Sequence, residues 1–178
     1  MAHGEGRTRR RGRVITTLGV VLIAAGAVMI GAYVTMPQQT ERAYGELKTR
    51  VTDAVDDVRE QVFDELPTVR IGAVGGISEL DRCDGTFTVM TSYEREGVPE
   101  TAAAHNSCGG DVVLTWDEGQ RVRIEGRDET YEVVDIRYTS KIWSSTADLV
   151  GLGGEIALQT CFYGEDRMKF VGLAPVDS

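Results

Sequence analysis

Histidine is nearly missing from this chain of 178 residues: it has two. His3 lies in an arginine-rich tail, so His105 is the only histidine available to a folded domain. Cysteine is scarce too, with Cys83, Cys108 and Cys161. No His/Cys spacing fits zinc, and no acidic loop has the spacing of an EF-hand. Gly109–Gly110–Asp111 lacks the lysine and the following helix of a phosphate loop, and reads as a tight turn into a strand. No low-complexity tract is present, and the composition is that of a globular protein. No cofactor is expected.

Basic residues are in deficit over most of the chain. The net charge is −9, but residues 1–13 carry five arginines against Glu5. From Pro37 onward 14 basic residues face 27 acidic ones, a net of −13. A body this acidic argues against nucleic acid as a partner. The basic tail is better explained by the apolar segment after it. Val14 to Thr35 is a run of 22 uncharged, mostly apolar residues, enough to cross a hydrocarbon core of roughly 30 Å as a helix. Arginines before it and acidic residues after it predict a cytoplasmic N-terminus and an external remainder. A cleaved signal peptide is the competing reading. The run is long for one, and Gly31–Ala32 is a poor cleavage site, so an uncleaved anchor is favoured.

The chain then divides into a basic cytoplasmic tail (1–13), a transmembrane helix (14–36), a helical stalk (37–66) and a domain (67–178). In the stalk, Tyr44, Leu47, Val51, Ala54, Val55, Val58, Val62 and Leu66 recur at a 3-and-4 spacing. Pro37 suits a first turn and Pro67 stops a helix. A helix over 38–65 would be ~40 Å long. It reads as a spacer, as the seam of a weak dimer, or as a face packed on the domain itself.

Short β runs come next, at Val69–Val74, Thr86–Met90, Asp111–Trp116, Gln120–Glu125 and Thr130–Tyr138. Turn-like D-E-G (117–119) and G-R-D-E (126–129) link three of them. Val122 and Ile124 share a face; Tyr131, Val133 and Asp135 share one against Glu132, Val134 and Ile136. Many short strands predict an all-β sandwich or barrel, and about 110 residues suffice to close a small barrel. Between Ser140 and Gly154 the strand pattern breaks. Ser145 or Thr146 can cap a single helical turn ended by Gly151.

The chemistry gathers in Ile156 to Leu173, two short strands with a turn at Gly164–Asp166. A thiol, Cys161, ends the first strand, and a guanidinium, Arg167, opens the second. A nucleophile that passes through an oxyanion needs a thiolate and a fixed donor. An exported chain meets an oxidising compartment, where three cysteines leave one unpaired. Pairing Cys83 with Cys108 leaves Cys161 free.

The set A-L-Q-T-C (Ala157 to Cys161), His105 in A-A-A-H-N-S-C-G-G-D, and Arg167 resembles the sortases, cysteine transpeptidases of Gram-positive cell surfaces. The family pattern is a histidine after an early strand, T-L-x-T-C at a later strand end, then an arginine on the next strand. Ala157 stands where the family has threonine; Leu158, Thr160 and Cys161 are kept. The resemblance implies a closed eight-stranded barrel with short helices. It implies Cys161 as nucleophile, His105 as acid and base, and Arg167 as oxyanion donor. Lys169, on the same face of the strand by period 2, is the second candidate donor. Asn106 would orient the ring or cap its loop, and Thr160 and Leu158 would shape the substrate side. Trp143 either lines the groove or packs in the core. Acidic residues could bind calcium, as in some sortases. The implied partners are an LPxTG-like sorting signal and an amine, from a peptidoglycan precursor or a pilin lysine, with the enzyme a monomer or weak stalk dimer. Papain-like enzymes place the cysteine before the histidine, and L,D-transpeptidases use S-H-G-C, which is absent here. The rival is a non-catalytic surface binding module on the same barrel.

Overall fold

The computed structural model describes residues 5–63 and 65–176. Residues 1–4 of the basic tail, Asp64 of the stalk and residues 177–178 lie outside the described residues. The described chain falls into two compact units that divide between Glu41 and Arg42.

The first unit is dominated by α1 (Glu5–Thr35). Within it Thr17–Thr35 has a mean hydropathy of 2.2 and none of it is buried. Leu22, Ile23, Val28 and Ile30 are all exposed. By length and composition this helix can cross a membrane. A second helix, α2 (Pro37–Phe63), starts on a proline, whose missing N–H costs nothing in a first turn.

From Arg42 the chain belongs to the second unit. It holds β1 (Thr68–Val69), β2 (Ile71–Gly75), the four-residue helix α3 (Ile77–Leu80), β3 (Phe87–Met90) and β4 (Glu100–Ala103). It continues with β5 (Arg121–Ile124), β6 (Thr130–Thr139), β7 (Ile156–Cys161) and β8 (Met168–Val176). The sheet order is β1-β5-β6-β8-β7-β4-β3-β2. Its two edges, β1 and β2, are consecutive in sequence and separated by Arg70 alone. The Val69 carbonyl accepts from Glu125 N–H, and the Arg70 carbonyl accepts from Phe87 N–H, each at 2.8 Å. One short stretch of chain therefore serves both edges, and the eight strands form a nearly closed all-β barrel.

The interior is apolar. Phe87, Ala102, Val113, Trp116, Val122, Ile124, Tyr131, Val133, Leu158, Val171 and Leu173 fill it. The expected face of β6 changes along its length. Val133 pairs with Leu173 but Asp135 with Gly172, so Val134 is an extra, bulged residue. Beyond it the parity reverses: Ile136, not Asp135, packs on the core. The freed Asp135 carboxylate accepts from Gly153 N–H at 2.9 Å and ties down the loop before β7.

One expected strand is absent among the described residues, and one observed strand is unexpected. Asp111–Trp116 is not a strand; Gly110–Leu114 forms a 3-10 turn. Gly109, at φ +94°, turns the chain where a side chain would be strained. The turn then buries Val113 and Trp116, three residues apart, in place of alternate ones. β4 is a strand that the sequence pattern does not announce. Its E-T-A-A has little strand propensity, and pairing with β3 and β7 on both sides overrides that.

The N-terminal half of α2 docks through small and polar groups. Gly45 is buried against Tyr163, so close that a Cβ would lie 2.6 Å from the tyrosine's. Tyr44 meets the Tyr163 ring edge-on, and Lys48 pairs with Asp111 at 2.6 Å. The stripe of Leu47, Val51, Val55 and Val58 stays exposed.

Lys169 is the one charged side chain among the largest fully buried ones. Its ammonium donates to the carbonyls of Leu114 and Trp116. Burial pushes its pKa down to about 8, although Asp117 and Asp53 pull the other way. Below pH 8 the charge is carried in both folded and unfolded chains, and its burial cost is fully present. Between about 8 and 10.5 the folded chain has lost a proton that the unfolded chain keeps, so stability rises with pH. The rise is at most about 3 kcal/mol, less whatever solvent screens at the barrel mouth. Denaturant midpoints between pH 7 and 10 should climb for the native chain and stay flat, in this component, for Lys169→Met.

Candidate active site

β7 ends at Cys161 because the chain turns at Tyr163–Gly164, where Gly164 takes φ +60°. β7 pairs in parallel with β4, with Ala102 beside Leu158 and Ala103 beside Gln159. The pairing runs on: Ala104 N–H donates to the Gln159 carbonyl at 3.1 Å, and the Thr160 hydroxyl donates to the Ala104 carbonyl at 2.9 Å. Continuing that register brings His105 level with Cys161. Parallel neighbours in register share a face, so the register, continued past the end of β4, assigns residues 105 and 161 to one side of the sheet. Gly110 packs under this junction, with Ala104 and Thr160 occupying the space a Cβ would need.

The thiol is free and partly exposed, and Cys83 and Cys108 form a disulfide with Cα atoms 5.0 Å apart. His105 Nε2 lies 2.8 Å from the Asp81 carboxylate, just past α3. Sequence alone does not single out Asp81. The one signal for it is indirect, since a Cys83–Cys108 bridge carries residue 81 towards residue 105. Asn106 does not touch the ring; its side chain accepts from Ser107 N–H, and its carbonyl accepts from the Tyr163 hydroxyl at 2.8 Å.

Strand parity redistributes the remaining candidates. Leu158 and Thr160 alternate with Cys161, and both are buried in the barrel; neither lines a substrate surface. Phe162 N–H donates to the Arg167 carbonyl, so these two residues face away from Cys161. The Arg167 guanidinium lies 3.9 Å from the Phe162 ring centre and pairs with Glu165 at 3.1 Å. It borders a cavity of about 300 Å³ with Arg42, Arg50, Phe162 and Tyr163. Lys169 pairs with Thr160 and is held inside. Cys161's neighbour across the ladder is Met168. On Cys161's own side stands Gln159, whose side-chain amide donates to the sulfur at 3.7 Å. In the pentapeptide Gln159 holds the variable position, so residue type gives it no role.

The same face carries a second apolar cluster of Leu149, Leu152, Ala157 and Phe170, with Tyr93, Val98 and Met168 against it. Burial raises the pKa of the Tyr93 phenol, and nearby Cys161 adds to the rise. The wall of this bed is the 3-10 turn Thr146–Leu149, capped by Ser145 as expected. It is fixed to the 95–97 loop by the Gly151 N–H to Gly97 carbonyl bond and to β6 by Arg137, which donates to the Asp148 and Val150 carbonyls. Trp143 is not a core residue. It is 86% exposed, on a loop tied to the β7–β8 turn through Asp166.

Among the described residues no group of three His, Cys, Asp or Glu side chains could hold a metal ion. Alkylation of the native, unreduced chain should label one thiol, Cys161, and all three after reduction and unfolding. Three labels on the native chain would refute the disulfide.

No protein-family model matches the chain, and no curated protein matches it. Among solved structures it is similar to sortase C from Clostridium perfringens SM101, at 17% identity and a TM-score of 0.41, over 61% of this chain and 63% of that one. It is also similar to Clostridium perfringens sortase C with the C-terminal cell wall sorting motif, at 17% identity and a TM-score of 0.40, over 59% and 62%. The chain thus spans less than two thirds of either protein.

Proposed function

We propose that this chain is a membrane-anchored, sortase-like cysteine transpeptidase. The observation that carries the reading is the β4–β7 register, whose continuation past Ala103 would set His105, the only histidine of the barrel, beside the free Cys161. Such a pair supplies a thiolate and an imidazolium to one reacting centre. The Cys161 sulfur would attack the threonyl carbonyl of an LPxTG-like signal, and the carbonyl oxygen would take up negative charge. His105 would give its proton to the leaving amine as the C–N bond breaks, which leaves a thioester. An incoming amine, from a peptidoglycan precursor or a pilin lysine, would attack that thioester and give its proton to His105. The thiolate–imidazolium pair is then regenerated as the C–S bond breaks, and the new amide leaves. The partly exposed Tyr93, Val98 and Met168, packed over the buried Leu149, Leu152 and Phe170, suit the apolar residues of such a signal.

The oxyanion has two candidate donors. Gln159 has an amide beside the sulfur. Arg167 has the charge, but it reaches that side only by leaving Glu165 and the Phe162 ring. We assign the role to Gln159. The chain would sit as a monomer, or as a weak dimer through the exposed stalk stripe, with its barrel outside the cell.

Mass spectrometry with sorting peptides and an amine should show a thioester on Cys161 in the native chain and none in Cys161→Ala. His105→Ala should lower turnover by about 10²–10⁴-fold. Gln159→Ala should cost about 10²–10³-fold in kcat, with Arg167→Ala and Lys169→Met milder. The reverse ranking returns the donor role to Arg167. If no change matters while the fold survives, the binding-module reading replaces the enzyme. Protease added to intact cells should digest the barrel and spare the N-terminal tail; a protected barrel would reverse the orientation.

A further inference from the structure

We propose that Asp81 is the positioning residue for His105, and that the Cys83–Cys108 disulfide holds the two in place. The proposal rests on the transpeptidase reading. Asp81 comes directly after α3 and accepts from His105 Nε2 at 2.8 Å. Both side chains are well exposed, at 59% and 43%. An ion pair this exposed contributes little to stability, so its consequence lies in orientation. A donor hydrogen bond from Nε2 to a carboxylate fixes that nitrogen as the protonated one in the neutral ring and stops rotation about the ring axis. Nδ1 is then the nitrogen left to exchange a proton with the thiol and the leaving amine.

The Asp81 backbone is held to α3 by its N–H bond to the Ile77 carbonyl at 2.9 Å, which leaves its side chain to the ring. The two loops meet through the disulfide. Cys83 is two residues beyond Asp81, and Cys108 is three beyond His105. On the His105 side the turn is built by two bonds to the His105 carbonyl, from Cys108 N–H at 2.9 Å and Gly110 N–H at 3.0 Å. A displacement of Cys108 is therefore passed to the backbone of His105. On the other side Cys83 has φ +53°, the only positive value for a non-glycine among the described residues. A cysteine in that region is strained, and it persists where surrounding structure over-determines it. The bridge supplies that restraint. Its release allows the 81–85 loop to relax and carries the carboxylate away from the ring.

The test uses the full-length chain in detergent micelles, LPxTG-like peptides and a glycine-based amine. Asp81→Ala should lower kcat about 10- to 100-fold, the scale of a misplaced catalytic group, with KM unchanged. Asp81→Glu should recover part of it. Reductant, or the double change Cys83→Ser with Cys108→Ser, should give a similar loss. Asp81→Ala should lose nothing further on reduction, because the two changes act through one element. Nitrogen-15 histidine spectra under alkaline conditions should show Nε2 protonated at His105 in the native chain and a mixture in Asp81→Ala. No thioester in the native chain overturns the transpeptidase reading and the pair's catalytic role with it. A thioester in the native chain, with kcat and tautomer unchanged in Asp81→Ala, overturns the pair alone. Equal loss on reducing the native chain and Asp81→Ala would show that the disulfide acts independently of Asp81, and overturns the link.

Discussion

The parallel pairing of β4 with β7 is the constraint on which the candidate site depends. Four residue pairs in register, Glu100–Ala103 against residues 156–159, set where both chains leave the sheet. A slip of one residue would turn every side chain of one strand over. His105 would then stand on the opposite face from Cys161, and no loop adjustment could recover the pair. The register is held by burial on one side, where Ala102 and Leu158 are fully enclosed. It is held at the exit by the Thr160 hydroxyl, which locks to the Ala104 carbonyl. That bond explains a threonine before the cysteine better than any contact with substrate.

The same period-2 rule decides which parts of the site are legible in the sequence. Cys161, His105, the Cys83–Cys108 bridge and the Ser145 cap need only residue type and order, and they stand out where candidates are few. The donor needs facing, and facing depends on where the β7–β8 turn closes. The turn closes tightly enough that Phe162 meets Arg167 and Cys161 meets Met168. Both basic candidates then fall on the other side of the strand. Gln159 is invisible in sequence because nothing in its type signals a role until its amide is seen beside the sulfur. β4 and the 110–114 turn escape the sequence pattern for the opposite reason. Their sequences carry propensities that neighbouring strands and Gly109 override.

The two sides of the β7–β8 hairpin offer different environments to the same backbone. Inside, Lys169 is tolerated because two carbonyls receive its protons. Outside, Cys161 lies beside a small apolar cluster that has polar groups at its edges. An acyl group that bound there would lose water on its apolar part and keep a donor at its carbonyl. The wall over that cluster is fixed. The Asp135 contact with Gly153 and the Arg137 contacts with Asp148 and Val150 fix it, and both depend on the bulge at Val134.

A buttress reaches the site from α2 as well. Tyr163 receives the helix at Gly45 and Tyr44, and its hydroxyl donates to the Asn106 carbonyl, next to His105. Glycine inside a helix costs roughly 0.5–1 kcal/mol relative to alanine. Here it permits a contact that no side chain would fit. The helix, the cysteine hairpin and the histidine turn are thereby joined through one tyrosine, two residues past Cys161. The disulfide joins the far side of the same turn to α3. His105 is thus clamped from two directions, by a hydrogen-bonded ring on one flank and a covalent bridge on the other. Of these two, only the bridge can be opened by chemistry that leaves the sheet intact.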